Sequence, residues 1–180
     1  MKGRALLHVC CGPCAIEPVS ALSGRWDLTA YYYNPNIHPL REYARRMATA
    51  KTFLQSEGVR FLSAPYDPDQ YSNAIGEDTA RPGRCARCYS LRLSAAACAA
   101  QELGVEAFTT TLLVSPYQDR EQILEAGREA SGRAGVEFLE EDFRPGYRAA
   151  RQTARERGMY RQKYCGCRYS EEEAPSSTST

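Results

Sequence analysis

Eight cysteines fall in this chain of 180 residues, and seven of them fall in three tight groups. Cys10, Cys11 and Cys14 share one Cys-Cys-Gly-Pro-Cys run, Cys85 and Cys88 form a Cys-x-x-Cys, and Cys165 and Cys167 flank a glycine. Thiolates are soft ligands that select zinc and iron-sulfur clusters. A disulfide between adjacent cysteines closes a strained ring, so Cys10 and Cys11 point to metal or redox chemistry rather than to a bond with each other. Seven thiols exceed the four that one tetrahedral zinc uses. If the three groups converge, they can hold a cluster and a second ion. On spacing alone three other readings stay open: a structural zinc site that leaves three thiols over, inert core thiols at Cys10 and Cys11, and a thioredoxin-like dithiol at Cys85 and Cys88. Cys98, on an apolar stripe with Leu91, Ala95 and Leu103, is expected in the core.

The elements that must position these groups alternate strand and helix. Ala5 to Val9 is an apolar run that reads as a buried strand, and Ala15 to Leu22 reads as the helix after it. The Cys10–Cys14 run therefore occupies a strand-to-helix turn, where open α/β sheets place their ligands. Strands are further expected over Asp27–Tyr33, Val59–Ala64, Ala107–Val114 and Val136–Glu140, and helices over Arg41–Ser56, Asp119–Ala134 and Tyr147–Arg157. A short helix around Asp69–Ile75 sits in the polar loop Pro65–Gly83, and Cys85 and Cys88 open a long helix that ends before Gly104. There, near the positive end of the helix dipole, thiolates are favoured. Strand and helix alternating five times argue for a parallel, three-layer α/β sheet of about five strands, with the cysteines at its carboxyl edge. One domain over residues 1–170 is expected. The tail 171–180, acidic and then Ser/Thr-rich, is expected to be disordered.

With 23 basic and 22 acidic residues the net charge is +1, yet the charge is polarised along the chain. Arg144 to Arg168 holds eight basic residues against one acid, while Asp119 to Asp142 holds eight acids against three bases. Arg81, Arg84, Arg87 and Arg92 surround the Cys85/Cys88 pair without an acid among them. A basic face beside a thiol cluster, with Tyr160, Tyr164 and Tyr169 interleaved among Arg161, Lys163 and Arg168, suits phosphate contacts and stacking on unpaired bases. A solvated helix face with core tyrosines is the plainer alternative. No apolar run is long enough to span a membrane, and the first residues lead straight into a strand, so no membrane partner and a cytoplasmic location are expected. In that reducing compartment structural disulfides are disfavoured.

The sequence resembles the cobalamin-independent, iron-sulfur epoxyqueuosine reductases of the QueH type. The resemblance runs from Leu6-Leu7-His8-Val9-Cys10-Cys11-Gly12-Pro13-Cys14 through Tyr33-Asn34-Pro35-Asn36-Ile37, Arg84-Cys85-Ala86-Arg87-Cys88-Tyr89, Thr110 to Tyr117, Asp142-Phe143-Arg144 and Tyr160-Arg161-Gln162-Lys163-Tyr164 to Cys165-Gly166-Cys167. It implies a nucleotide-hydrolase-like, Rossmann-type fold and two-electron reduction of the epoxide of epoxyqueuosine, at the tRNA wobble position, to queuosine. It also implies a 4Fe-4S cluster and an additional metal ion, iron, with Cys10, Cys11, Cys14, Cys85, Cys88, Cys165 and Cys167 as the metal-binding thiols. The reaction needs a proton donor, for which Asp142, then Tyr117 and Tyr160, are the candidates in matched blocks. Arg84, Arg161 and Lys163 are expected to contact RNA, Tyr160 to stack on a base, and a ferredoxin or flavodoxin to supply electrons. A noncatalytic tRNA-binding protein with a structural zinc or iron-sulfur site, and a small iron-sulfur electron carrier, are the competing functions.

Overall fold

The computed structural model describes residues 2–173. Five strands, β1 (Gly3–His8), β2 (Trp26–Tyr32), β3 (Arg60–Ser63), β4 (Ala107–Thr110) and β5 (Glu137–Phe138), form one parallel sheet in the order β3-β2-β1-β4-β5. The helices are α1 (Gly12–Leu22), α2 (Leu40–Ser56), α3 (Pro68–Ile75), α4 (Gly83–Glu102), α5 (Arg120–Ala134), α6 (Tyr147–Glu156) and α7 (Arg168–Glu172). Packing sets α1, α2 and α6 on one side of the sheet and α4 with α5 on the other, giving the three expected layers. Among the described residues no helix is long and apolar enough to cross a membrane.

β1 lies between β2 and β4 and is covered on both faces, so its residues from Ala5 to His8 are all buried and its sequence shows no alternation. The chain runs outward from β1 through β2 to β3, then crosses back to β4 on the other side. The end of β1 is thus the point where strand order reverses, and loops on its two sides diverge to leave a crevice. Cys10 to Cys14 occupy that turn.

Several expected boundaries move for local reasons. α1 starts at Gly12 rather than Ala15, because Cys11 is its N-cap, accepting the Cys14 N–H, and Pro13 fits the first turn. The strand expected over Ala107–Val114 stops at Thr110, whose hydroxyl accepts the Leu112 N–H and starts a 3-10 turn over Thr111–Val114. β5 pairs over two residues only. Cys98 is exposed on α4 and is not a core residue. Glu171 and Glu172 belong to α7, and Glu173 pairs with Arg81 and Arg84, so these three leave the expected disordered tail. Its remainder, 174–180, lies outside the described residues.

Candidate metal centre

Six of the seven grouped cysteines, all but Cys11, line one pocket of about 600 Å³. The seventh stands directly behind it, 1% exposed and paired with Cys14 as a disulfide. The Sγ atoms of Cys10, Cys11 and Cys14 all lie within 4.8 Å of one another. Among the described residues no other three metal-ligating side chains gather so closely, so the three cysteine sulfurs of the β1–α1 turn are the tightest group of potential donors once the Cys11–Cys14 pair is reduced.

The sheet holds this turn. The Cys10 N–H donates to Thr111 Oγ1 (3.0 Å), and the Thr111 hydroxyl donates to Cys10 Sγ (3.2 Å). The Asn34 amide donates to the Val9 carbonyl (2.8 Å). His8, fully buried, bridges Thr110 Oγ1 and the Tyr33 carbonyl. Because Nε2 faces a carbonyl it must carry the proton there, which leaves Nδ1 to accept from Thr110. Burial first, then the charge of Arg92, holds the His8 pKa down at about 3, so the ring is neutral and acts as a brace between β1, β4 and the Tyr33 loop. Gln162 reaches in from the far side, its Nε2 2.9 Å from Cys11 Sγ and 3.6 Å from Cys14 Sγ.

Cys85 and Cys88 enter from the first turns of α4. Burial pushes both thiols up, opposed by Arg81 and Arg84 at Cys85 and by Arg92 at Cys88. Arg92 is a cation at 4% exposure whose guanidinium meets no carboxylate among the described residues: one nitrogen donates to Asn34 Oδ1 (2.8 Å), another lies 3.9 Å from Cys88 Sγ, and Nε finds no partner among them. Burial lowers its pKa, but the sulfurs of Cys88, Cys10 and Cys165 raise it more, so the guanidinium stays charged above its ordinary range. An isolated buried cation is unfavourable, so this one fits a neighbour that bears negative charge, as metal-bound thiolates do.

Cys165 and Cys167 come from the connection between α6 and α7, and side chains rather than the sheet hold them. Buried Arg46 pairs with Glu42 (2.7 Å) and donates to the carbonyls of Cys165 (2.9 Å) and Tyr164 (3.1 Å). The Tyr160 hydroxyl donates to Glu42 (2.7 Å), the Tyr164 hydroxyl to the His38 carbonyl (2.6 Å), and the His38 N–H to the Gly166 carbonyl (2.9 Å). Gly166 sits at φ +131°, and a Cβ there would fall 2.9 Å from Ile37 Cγ1, so no larger residue fits between the two thiols. Cys167 caps α7 and shares a small buried cluster with Cys88, Tyr71 and Ile75. A hydrogen bond from the Cys165 thiol, aided by Ser170 and Tyr71, pulls the Cys167 pKa down, and the same shared hydrogen bond pushes Cys165 up.

The other sequence candidates divide. Tyr117, 79% exposed, lines the pocket, as does Lys163. Arg161 lines a small adjoining cavity of about 50 Å³ with Cys14 and Gln162. Asp142 lines neither cavity; Arg144 clamps its carboxylate at 2.7 and 2.8 Å and holds its pKa at about 2, so it is ionised and unsuited to donate a proton. Tyr160 is likewise outside both cavities, with its hydroxyl donating to Glu42 and its ring under Arg45. Arg84 also lines the pocket, at 3% exposure and bound to Glu173 and the Thr79 carbonyl. Sequence reasoning assigned no role to His8 or Gln162, although both lie in quoted blocks, and it read Arg92 as surface charge.

A family model described as Epoxyqueuosine reductase QueH matches residues 5–173. The curated protein Epoxyqueuosine reductase QueH of Streptococcus pyogenes serotype M1 is 34% identical over 180 residues, covering 94% of this chain and 71% of that protein. The same-named proteins of Histophilus somni and Dehalococcoides mccartyi are 36% and 31% identical, covering 93% and 96% of this chain and 72% and 95% of their own lengths. Among solved structures, the U34-tRNA thiolase NcsA from Methanococcus maripaludis with its 4Fe-4S cluster superposes with a TM-score of 0.60 at 14% identity, over 94% of this chain and 61% of that one. A predicted subunit of tRNA methyltransferase from Methanocaldococcus jannaschii gives 0.54, also at 14% identity, over 84% and 75%. At that identity the structural likeness establishes the fold alone.

Proposed function

The chain belongs to the epoxyqueuosine reductase QueH family, and on that premise we propose that it is an oxidoreductase that reduces epoxyqueuosine in tRNA within the cysteine-lined pocket. The reaction adds two electrons and two protons to an epoxide, breaks both C–O bonds to leave an alkene, and releases the oxygen as water. What supports this site is that six of seven thiols, borne by separate stretches of the chain, face a single cavity.

Cys10, Cys11, Cys14, Cys85, Cys88, Cys165 and Cys167 would hold a 4Fe-4S cluster and an additional iron ion once the Cys11–Cys14 disulfide has taken up two electrons and two protons to give two thiols. The donor set suits these groups, being all sulfur, and buried Arg92 offers the countercharge. When bound, they supply electrons and Lewis acidity. The protein's own groups do the rest. Thr111 and Gln162 orient the sulfurs of the β1–α1 turn. Tyr117, at the pocket rim with a hydroxyl that no other residue claims among the described ones, is placed to donate a proton. Lys163 at the same rim and Arg161 beside it are free to meet phosphates of a splayed-out anticodon nucleotide. We infer a small iron-sulfur or flavin electron carrier of the ferredoxin or flavodoxin class as donor, a single α/β domain over 1–170, and a cytoplasmic reaction, where tRNA is.

The test is anaerobic incubation of the metal-reconstituted protein with epoxyqueuosine-containing tRNA and a low-potential reductant, read by nucleoside mass spectrometry. Queuosine is expected to appear stoichiometrically with electrons consumed. Tight tRNA binding with no change in the nucleoside would instead identify a noncatalytic tRNA-binding protein. Tyr117→Phe is expected to slow turnover by about a hundredfold or more without weakening tRNA binding.

A further inference from the structure

Cys11-Gly12-Pro13-Cys14 is a Cys-x-x-Cys at a helix N-terminus, the arrangement in which dithiol redox motifs occur, and it overlaps the metal ligands of the β1–α1 turn. We propose that Cys11 and Cys14 form a reversible dithiol–disulfide couple that gates metal binding at the three-thiol group of Cys10, Cys11 and Cys14. Oxidised, the pair has no thiolate to offer. Reduced, it returns two thiols to a group whose three sulfurs already lie within 4.8 Å of one another in the paired state.

The geometry favours reversible exchange at this pair rather than at the other close thiols. The Cα atoms of Cys11 and Cys14 are 5.4 Å apart, inside the range of about 4.4–6.8 Å that disulfides span. Cys14 faces the pocket and is reachable by an incoming thiolate, whereas Cys11 is buried behind it. Attack on Cys14 Sγ forms a mixed disulfide and expels Cys11 as thiolate. That leaving group is held by two N–H donors, the Cys14 amide at 3.3 Å and Gln162 Nε2 at 2.9 Å, which favour its departure. The second thiol of the same reductant then attacks its own sulfur and releases Cys14. The balance is one protein disulfide plus one dithiol giving two protein thiols plus one reductant disulfide, with two electrons and two protons passed to Cys11 and Cys14. Cys10 stays free throughout, its sulfur and amide engaged by Thr111. Cys85, Cys88, Cys165 and Cys167 are free as well, so the gate acts on one wall of the pocket only.

The inference goes beyond epoxide reduction and is tested without tRNA. The full chain, stripped of metal with chelator, is equilibrated over a series of reduced-to-oxidised dithiothreitol ratios, alkylated, and mapped by mass spectrometry. Each sample is separately titrated with Co2+, whose thiolate absorption reports binding. Cys11 and Cys14 are expected to become protected together, as one linked peptide pair, and the oxidised protein to bind one equivalent of Co2+ fewer than the reduced, recovered on reduction. Cys14→Ser should remove the two-thiol step. Gln162→Leu, which keeps both thiols, should shift the midpoint toward more reducing ratios, because the Cys11 thiolate loses a donor. Protection of either cysteine without the other, or equal Co2+ stoichiometry in both states, would overturn the proposal.

Discussion

The two ends of the chain each bring cysteines to the same pocket, and they are held there in different ways. The Cys10–Cys14 turn grows out of the central strand, and its anchors, Thr111, Asn34 and His8, belong to the sheet or to the loops at its edge. The Cys165–Cys167 connection has no strand beneath it. It is strapped to α2 by Arg46, Glu42 and Tyr160, and to the loop before α2 by Tyr164. The contrast teaches that one wall of the metal centre is fixed by the fold, while the other depends on a few side chains and can be detached without dismantling the sheet.

Arg46→Ala should break the contrast most severely. It removes the partner of buried Glu42 and the donors to two strap carbonyls, and loss of one member of a buried pair costs about 3–5 kcal/mol. Urea unfolding measures that cost, and maleimide labelling should rise far more at Cys165 and Cys167 than at Cys10. Equal rises at both walls would mean that they do not come apart separately.

Gly166→Ala comes next, at about 2–3 kcal/mol, since an alanine at φ +131° is strained and its Cβ meets Ile37. Iron analysis should show metal lost from the strap side while Co2+ binding by the β1–α1 thiols persists. Thr111→Val is the mirror test on the sheet side. It leaves the Cys10 N–H unsatisfied and should cost about 1–2 kcal/mol, with labelling raised at Cys10 and not at Cys165. Smallest is Asp142→Asn, which loosens only an exposed ion pair away from both cavities. Turnover and urea midpoint should stay near wild type, with a stability change below about 0.5 kcal/mol. A large loss of turnover would return Asp142 to the chemistry.

The same contrast explains what the sequence could tell. The β1–α1 turn was legible because the signals that place it are local, an apolar run, a cysteine-bearing turn and a helix, while its anchors Thr111, Asn34 and Gln162 lie far off in the chain and were not. The parallel, three-layer sheet and the placement of Cys85 and Cys88 at the head of α4 followed from alternation and helix periodicity, whereas the strand order did not. The strap was not legible, because its hydrogen bonds join residues more than a hundred positions apart, such as Arg46 with Cys165 and Tyr160 with Glu42. Nor does a sequence distinguish an arginine on the surface from Arg84 or Arg92 in the interior, whose partners, Glu173 and Asn34, lie 89 and 58 positions away. Asp142 stands in a matched block, and block matching alone does not decide between a proton donor and a carboxylate paired with Arg144, two residues on, which is the pairing seen. Cys98 sat on an apolar stripe but faces solvent, since periodicity places a residue on a helix face without saying how far the neighbouring layer extends.

That two separately held walls close on one metal centre is tested most directly by differential alkylation of the full chain before and after anaerobic loading with iron and sulfide, read cysteine by cysteine. Metal should protect Cys10, Cys11, Cys14, Cys85, Cys88, Cys165 and Cys167 together while exposed Cys98 labels fully in both states. Protection confined to the β1–α1 thiols, with Cys165 and Cys167 still reactive in the loaded protein, would contradict it.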